Sequence, residues 1–193
     1  MASYEVIADV SRTLLELLRK NLTPEPINKE ELIGLCTPGD PGGYVLGLNV
    51  YDVEEKKNLG SQNSINIRPG QQQDPPTPLM LYYMLTVYSK TELVNKAVDE
   101  QRIMGRAIQV FSDHTKIKAD ELVGSLKTSN SHLVITNLGL TLDEKVKVWS
   151  LYNQPYQLSV YYSVGPVYLE SDITRDVRPV TEFHVNMKGK KYE

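Results

Sequence analysis

Apolar side chains recur along this chain with two different periods, and the switches between them outline its architecture. Near the start, Ile7, Val10, Leu14, Leu17 and Leu18 repeat every three to four residues, the spacing of one buried stripe on an α-helix. Ser3 is placed to cap that helix, Glu5 stands in its first turn and Arg19-Lys20 in its last, and Pro24 and Pro26 end it. A short apolar run, Leu32 to Cys36, precedes the turn 37–43 (TPGDPGG), where proline and glycine supply the φ values of a tight reversal. Tyr44 to Glu55 reads as a strand with Leu46, Leu48 and Val50 on one face. Lys56 to Pro78 is rich in Gln, Asn and Pro with little apolar content, and a connection of about twenty residues predicts a functional arm or a mobile loop. Leu79 to Ser89 is apolar on both faces, with Leu79, Leu81, Tyr83 and Leu85 against Met80, Tyr82 and Met84. That predicts a central strand covered on one side by the domain's own helices and on the other by a neighbour.

Ser89 and Glu92 form a capping box for a second helix reaching about Asp113, whose stripe is Leu93, Ala97, Met104, Ile108 and Phe111 with Gln101 as a polar interruption. A polar connection leads to a short strand, His132 to Asn137. Thr141 and Glu144 then cap a third helix that shows Val146, Trp149 and Tyr152 on one face, so Trp149 is expected to pack on the sheet. The stretch Tyr156 to Ser171 is the strongest strand and an unusual one. Its apolar side chains fall on even positions through Val164 and on odd positions, Val167 and Leu169, after Gly165-Pro166. Because a strand repeats every two residues, this predicts a bulge or bend at Gly165-Pro166. Either the bulge lies wholly inside one domain, or the second half of the strand turns its face to an adjacent subunit.

These elements predict an α+β fold: a single mixed, mostly antiparallel β-sheet packed against about three α-helices. Residues 1–171 form the domain, and residues 172–193 a C-terminal strand or arm with a basic, mobile end. In that arm Phe183, Val185 and Met187 alternate, so the segment either adds to a partner's sheet edge or forms the last strand of the home sheet.

Composition narrows the function classes. The chain has 193 residues, 40% hydrophobic and 23% charged, enough for a real core, with a net charge of −3 that gives no reason to expect nucleic-acid binding. One cysteine, Cys36, excludes an intramolecular disulfide and fits a reducing compartment. The amphipathic start lacks the basic and apolar blocks of a signal peptide, and no apolar run approaches a membrane span, so assembly in the cytosol without membrane spanning is expected.

No catalytic, metal or cofactor-binding residues are expected. His114, His132 and His184 have no ligand-like spacing, and Cys36 has no local base. The glycine-rich turn lacks the phosphate-loop pattern, Asn21-Leu22-Thr23 means nothing without secretion, and the capping role accounts for Asp143-Glu144. What is abundant is tyrosine, twelve in all. Tyr83 and Tyr162 point to the helix-covered face, whereas Tyr82 and Tyr161 point the other way and suit a surface buried in a second protein.

In order along the chain, residues 4–19 (YEVIADVSRTLLELLR), 78–89 (PLMLYYMLTVYS), 102–114 (RIMGRAIQVFSDH) and 145–171 (KVKVWSLYNQPYQLSVYYSVGPVYLES) resemble the tail-terminator, or cap, proteins of contractile phage-tail-like injection systems. The resemblance runs from residue 3 to about 171. The Gln/Pro loop and the last twenty residues match poorly, and a longer C-terminal extension found in some relatives is missing. The resemblance implies a non-enzymatic subunit that forms a homo-oligomeric, sixfold (hexameric) ring on the last layer of inner tube and sheath. Such a ring stops their growth and stabilises the extended sheath, making the chain a particle component after cytoplasmic assembly. Its expected contact residues are Tyr82, Tyr161, Pro166, Val167, Leu169, Phe183 and Val185. The alternative is a non-enzymatic adaptor or assembly chaperone that binds sheath, tube or cargo without forming a stable ring.

Overall fold

The computed structural model describes residues 4–59, 64–89, 93–128 and 132–177. They fall into two units, residues 1–60 with 76–170, and residues 61–75 with 171–193.

The larger unit opens with α1, Val6–Leu22, which buries Val6, Val10, Leu14, Leu18 and Leu22 completely. Ile7 and Leu17 pack at the rim of this stripe. The helix ends where Thr23 turns extended, its N–H and Oγ both bonded to the Arg19 carbonyl; the expected cap Ser3 lies outside the described residues. Strands β1, Ile33–Leu35, and β2, Leu46–Glu55, follow, then β5, Thr77–Val87, after two short strands of the smaller unit. Next come α2, Leu93–Asp113, β6, Lys116–Ile117, and β7, Leu133–Asn137. Last are α3, Leu142–Ser150, and β8, Ser159–Leu169. The six strands make one sheet in the order β1-β2-β5-β8-β7-β6, parallel only between β1 and β2. The α+β architecture with a mixed, mostly antiparallel sheet is therefore as expected.

The main core lies between one face of this sheet and the pair α1 and α2. Tyr83 crosses it to share a 2.8 Å hydrogen bond with Ser11 of α1, and Phe111 of α2 meets Tyr162 edge to face at 4.8 Å. The stripe of α2 differs from the expected one. Ile103, Met104, Ala107, Val110 and Phe111 are buried, while Ala97, Val98 and Gln101 are exposed, so among the described side chains the buried stripe lies in the C-terminal half of the helix. Glu92 of the expected capping box is outside the described residues; Ser89 instead donates to Asp99 at 2.6 Å.

The polar connection after α2 is tied to α1 through a buried carboxylate. Asp9, 1% exposed, accepts from the N–H and the hydroxyl of Ser125, both at 2.8 Å, and from Arg12 at 2.9 Å. Gly124 stands beside it at φ +63°, where any Cβ would come within 2.4 Å of the carboxylate. Burial pushes the Asp9 carboxyl up, but the Ser125 donors and Arg12 outweigh it, so its pKa lies below the ordinary value. A depressed carboxyl stabilises the fold above the unfolded pKa and loses that contribution as pH falls through the folded one. Asp9→Asn is accordingly expected to cost about 1–3 kcal/mol at neutral pH, since Asn cannot accept both Ser125 bonds and the Arg12 pair. The gap to the parent protein should shrink in urea titrations below about pH 4. A gap independent of pH would show that the charge of Asp9 is not what holds this connection.

The parity change in β8 has a definite structural origin. Leu81 faces Val164 and Leu79 faces Val167, so two residues along β5 oppose three along β8. The extra residue is taken up at Gly165-Pro166, with Gly165 at φ +152° and its Cα so close to the Leu79 carbonyl and the Met80 sulfur that a Cβ would sit 3.0 Å from each. Val164 and Val167 consequently enter the same core. The sequence changes phase because the strand is one residue longer than its partner, and the buried face does not change. A matching bulge lies across β5 in β2, where Val50 opposes Tyr83 and Asp52 opposes Tyr82, leaving Tyr51 as the extra residue.

In the smaller unit, β3, Ile65–Arg68, and β4, Gln71–Gln73, form a hairpin, and β9, Thr174–Asp176, pairs with the other side of β4. The stretch expected to be a structureless arm thus carries a turn at Pro69-Gly70, with Gly70 at φ +81°. Arg175 is paired with Asp74 at 2.9 Å, and the amide of Gln73 donates to the Ser171 carbonyl. None of its described residues is buried.

Candidate subunit interface

The second face of the six-stranded sheet carries an aromatic band. Residues opposite one another across two strands share a face, so β5 brings Met84 beside Tyr161 of β8 and Tyr82 beside Asp52 of β2. The β2 bulge inserts Tyr51 among them, with ring centroids 5.6 Å from Tyr161, edge to face, and 6.2 Å from Tyr82. α3 covers one end of this band. Its N-terminus is held by the reciprocal bonds of Thr141 and Glu144, as the sequence predicts. Trp149, 1% exposed, inserts against Met84 and Tyr161 and donates its indole N–H to Ser159 Oγ at 3.0 Å. Tyr152 then reaches Asn49, whose side-chain amide donates to its hydroxyl at 2.8 Å. Val146, expected beside Trp149, is exposed; Val148 packs there instead.

The chemistry of the band is apolar with fixed hydroxyls. Burial, then Tyr161 and Asp52 nearby, pushes the Tyr51 phenol up to about 12. The Tyr82 phenol is raised chiefly because it donates to Glu54 at 2.6 Å. Both stay neutral at any physiological pH, as contact surfaces require and general bases do not. Cys36 sits at the edge of this face against Tyr88, its thiol pushed up to about 11 by burial and by Asp40, an unreactive environment.

The seven expected contact residues separate into three groups. Tyr161 and Val167 are buried inside the chain itself, Tyr161 under α3 and Val167 in the main core, so neither offers area to a second subunit; for Val167 the reason is the bulge. Tyr82, Pro166 and Leu169 remain half-exposed. Phe183 and Val185 lie outside the described residues. Sequence reasoning missed Tyr51, whose position depends on the β2 bulge. It also missed the exposed apolar side chains Leu142, Val146, Leu151, Tyr156 and Leu158 on and after α3.

Elsewhere, a groove of about 350 Å³ between α1 and the connection after α2 is lined by Glu16, Lys20, His114, Asp120, Glu121 and Lys127, a mixture of charges with no common target. Nδ1 of His114 lies 2.9 Å from the Val110 carbonyl. Among the described residues no three His, Cys, Asp or Glu side chains gather as metal ligands, and no helix is long and apolar enough to cross a membrane.

The six-stranded sheet, with α1 and α2 on one face and α3 on the other, has the fold of solved proteins that terminate the tubes of contractile injection systems. A solved sheath/tube terminator of an extracellular contractile injection system, in its extended state, superposes with a TM-score of 0.66 at 16% identity over 96% of this chain. The tube-terminating cap of the anti-feeding prophage superposes with a TM-score of 0.59 at 14% identity over 93%. The chain spans 64% and 61% of the length of those two proteins. The profile of the Pvc16 N-terminal domain matches residues 9–182, and the chain belongs to that family. A search of curated proteins gave no significant match.

Proposed function

We propose that this chain is a structural subunit of a contractile injection system, capping the inner tube and sheath as a sixfold ring that ends their growth and stabilises the extended sheath. It acts by surface complementarity, without catalysis, and its partners are further copies of itself together with tube and sheath proteins. It is assembled in the cytosol and thereafter belongs to the particle. The observation that carries this reading is the second sheet face, where neutral tyrosines and Trp149 form a preorganised band that α3 covers only in part. Family membership and the shared terminator fold support it.

The residues we assign to these contacts are Tyr82 on the second face together with Pro166 and Leu169 near the end of β8, joined by Phe183 and Val185 from beyond the described residues. Tyr82→Ala removes a half-exposed ring and its bond to Glu54, so the fold is expected to survive with a loss of about 1 kcal/mol or less. Particles made with this variant are expected to lose their cap and to show unregulated tail lengths in electron micrographs. Label on the wild-type chain should appear at one end of each particle. Label along the whole sheath, or a chain that stays monomeric and leaves finished particles unlabelled, would replace the terminator with the adaptor reading.

A further inference from the structure

The sheet of the larger unit has an uneven edge. β2 pairs with β5 along its whole length to Glu55, but on its other side β1 reaches only from Leu46 to Leu48, with one further bond from the Cys36 N–H to the Leu48 carbonyl. From Asn49 to Glu55, nothing among the described residues pairs with the outer side of β2. Val50, Asp52, Val53, Glu54 and Glu55 are all exposed there. The N–H of Val53 is met by the side chain of Asp52 at 2.9 Å, a local bond that occupies a ladder donor without any strand. Natural sheets rarely leave so long an edge open. This one is both apolar, through Val50 and Val53, and acidic, through Asp52, Glu54 and Glu55.

Resting on the ring reading above, we propose that the outer edge of β2, Asn49 to Glu55, accepts an added strand from a second copy of this chain, the segment Phe183 to Met187. Three observations favour this occupant. Phe183, Val185 and Met187 alternate with His184 and Asn186, the period of a strand with one apolar face. Arg178 precedes the segment and Lys188, Lys190 and Lys191 follow it, outnumbering Glu182 and Glu193 and opposite in sign to the acids of the β2 edge. Residues 178–193 alone span roughly 50 Å when extended. Donor and acceptor are different surfaces, so each contact is head-to-tail, the kind that closes into a ring when the rotation between copies allows it. Strand addition supplies main-chain bonds, and the charges set direction and partner choice.

The test uses two full-length variants and hydrodynamic mass. In the first, Asp52→Lys and Glu55→Lys reverse the edge, leaving Glu54 to hold Tyr82 and Lys56. In the second, Lys188→Glu, Lys190→Glu and Lys191→Glu reverse the tail. Each variant alone should keep the parent's circular dichroism and fall about sixfold in mass, from ring to monomer. Mixed in equal amounts they should recover the ring, because every basic tail then meets an acidic edge and every acidic tail a basic one. If each variant alone still forms rings, the β2 edge is not the acceptor while the ring reading stands. A mixture that stays monomeric overturns the exchange between copies, and recovery of the parent's properties only when both sets share one chain would show the tail folding back on its own edge. A wild-type chain that remains monomeric even with tube and sheath proteins present would remove the ring itself.

Discussion

Replacing Trp149 by Ala is expected to lower the stability of the domain by about 3–5 kcal/mol, a large part of the 5–15 kcal/mol typical of a folded protein. The indole is 1% exposed and belongs to the small core on the second sheet face with Met84 and Tyr161, touched from the side by Tyr156. Its removal leaves a cavity that α3, held at its N-terminus by the Thr141–Glu144 bonds, cannot easily collapse. It also withdraws the N–H that Ser159 Oγ accepts, at a site where Ser159 in turn donates to the Tyr161 hydroxyl. The measurement is the urea midpoint, with an unchanged slope showing that the native and denatured states are otherwise the same. A loss below about 1 kcal/mol would mean that α3 is held by its surface contacts rather than by this ring.

Val167→Asp is expected to leave no folded protein at neutral pH. Val167 is 1% exposed within the main core, opposite Leu79. A carboxylate there would be buried without a partner, at a cost of several kcal/mol on top of the lost apolar contacts. Leu169→Asp, two residues further on the same face but half-exposed, should remain folded. The pair of variants separates two accounts of the phase change at Gly165-Pro166. If the second half of β8 faced another subunit, both variants would fold and both would lose oligomerisation. The bulge predicts instead that Val167→Asp shows an unfolded far-ultraviolet circular dichroism spectrum while Leu169→Asp shows the native one. A folded Val167→Asp chain would contradict the register.

Pattern alone located the elements whose information is local. The stripe on α1, the capping box of α3 and the two-sided strand β5 each depend on residues within a turn or two of one another, and all three are present. The smaller unit was hidden for a different reason. Ile65 and Ile67 alternate with polar residues and Pro69-Gly70 is a turn pair, so the β3–β4 hairpin had a local signature. Low apolar content masked it, because this sheet buries nothing among its described residues. The candidate interface was half legible. Tyrosines pointing away from the helices could be read from parity, but whether the chain itself covers them could not.

The order and type of the main elements, the helix ends at Thr23 and Thr141 and the apolar faces were determined by the sequence itself, because propensity, capping and periodicity act over a few residues. Which residues those faces finally bury was decided by tertiary structure. Register is a relation between strands far apart in the chain: Leu79 meets Val167 and Val50 meets Tyr83 only after β5 has been zipped between β2 and β8. One extra residue in either neighbour then changes which positions, odd or even, meet the buried face from there on. That is why Val167 lies in the core and why Tyr51 joins the aromatic band, while the packing of α3 on the sheet sets Trp149 over Tyr161.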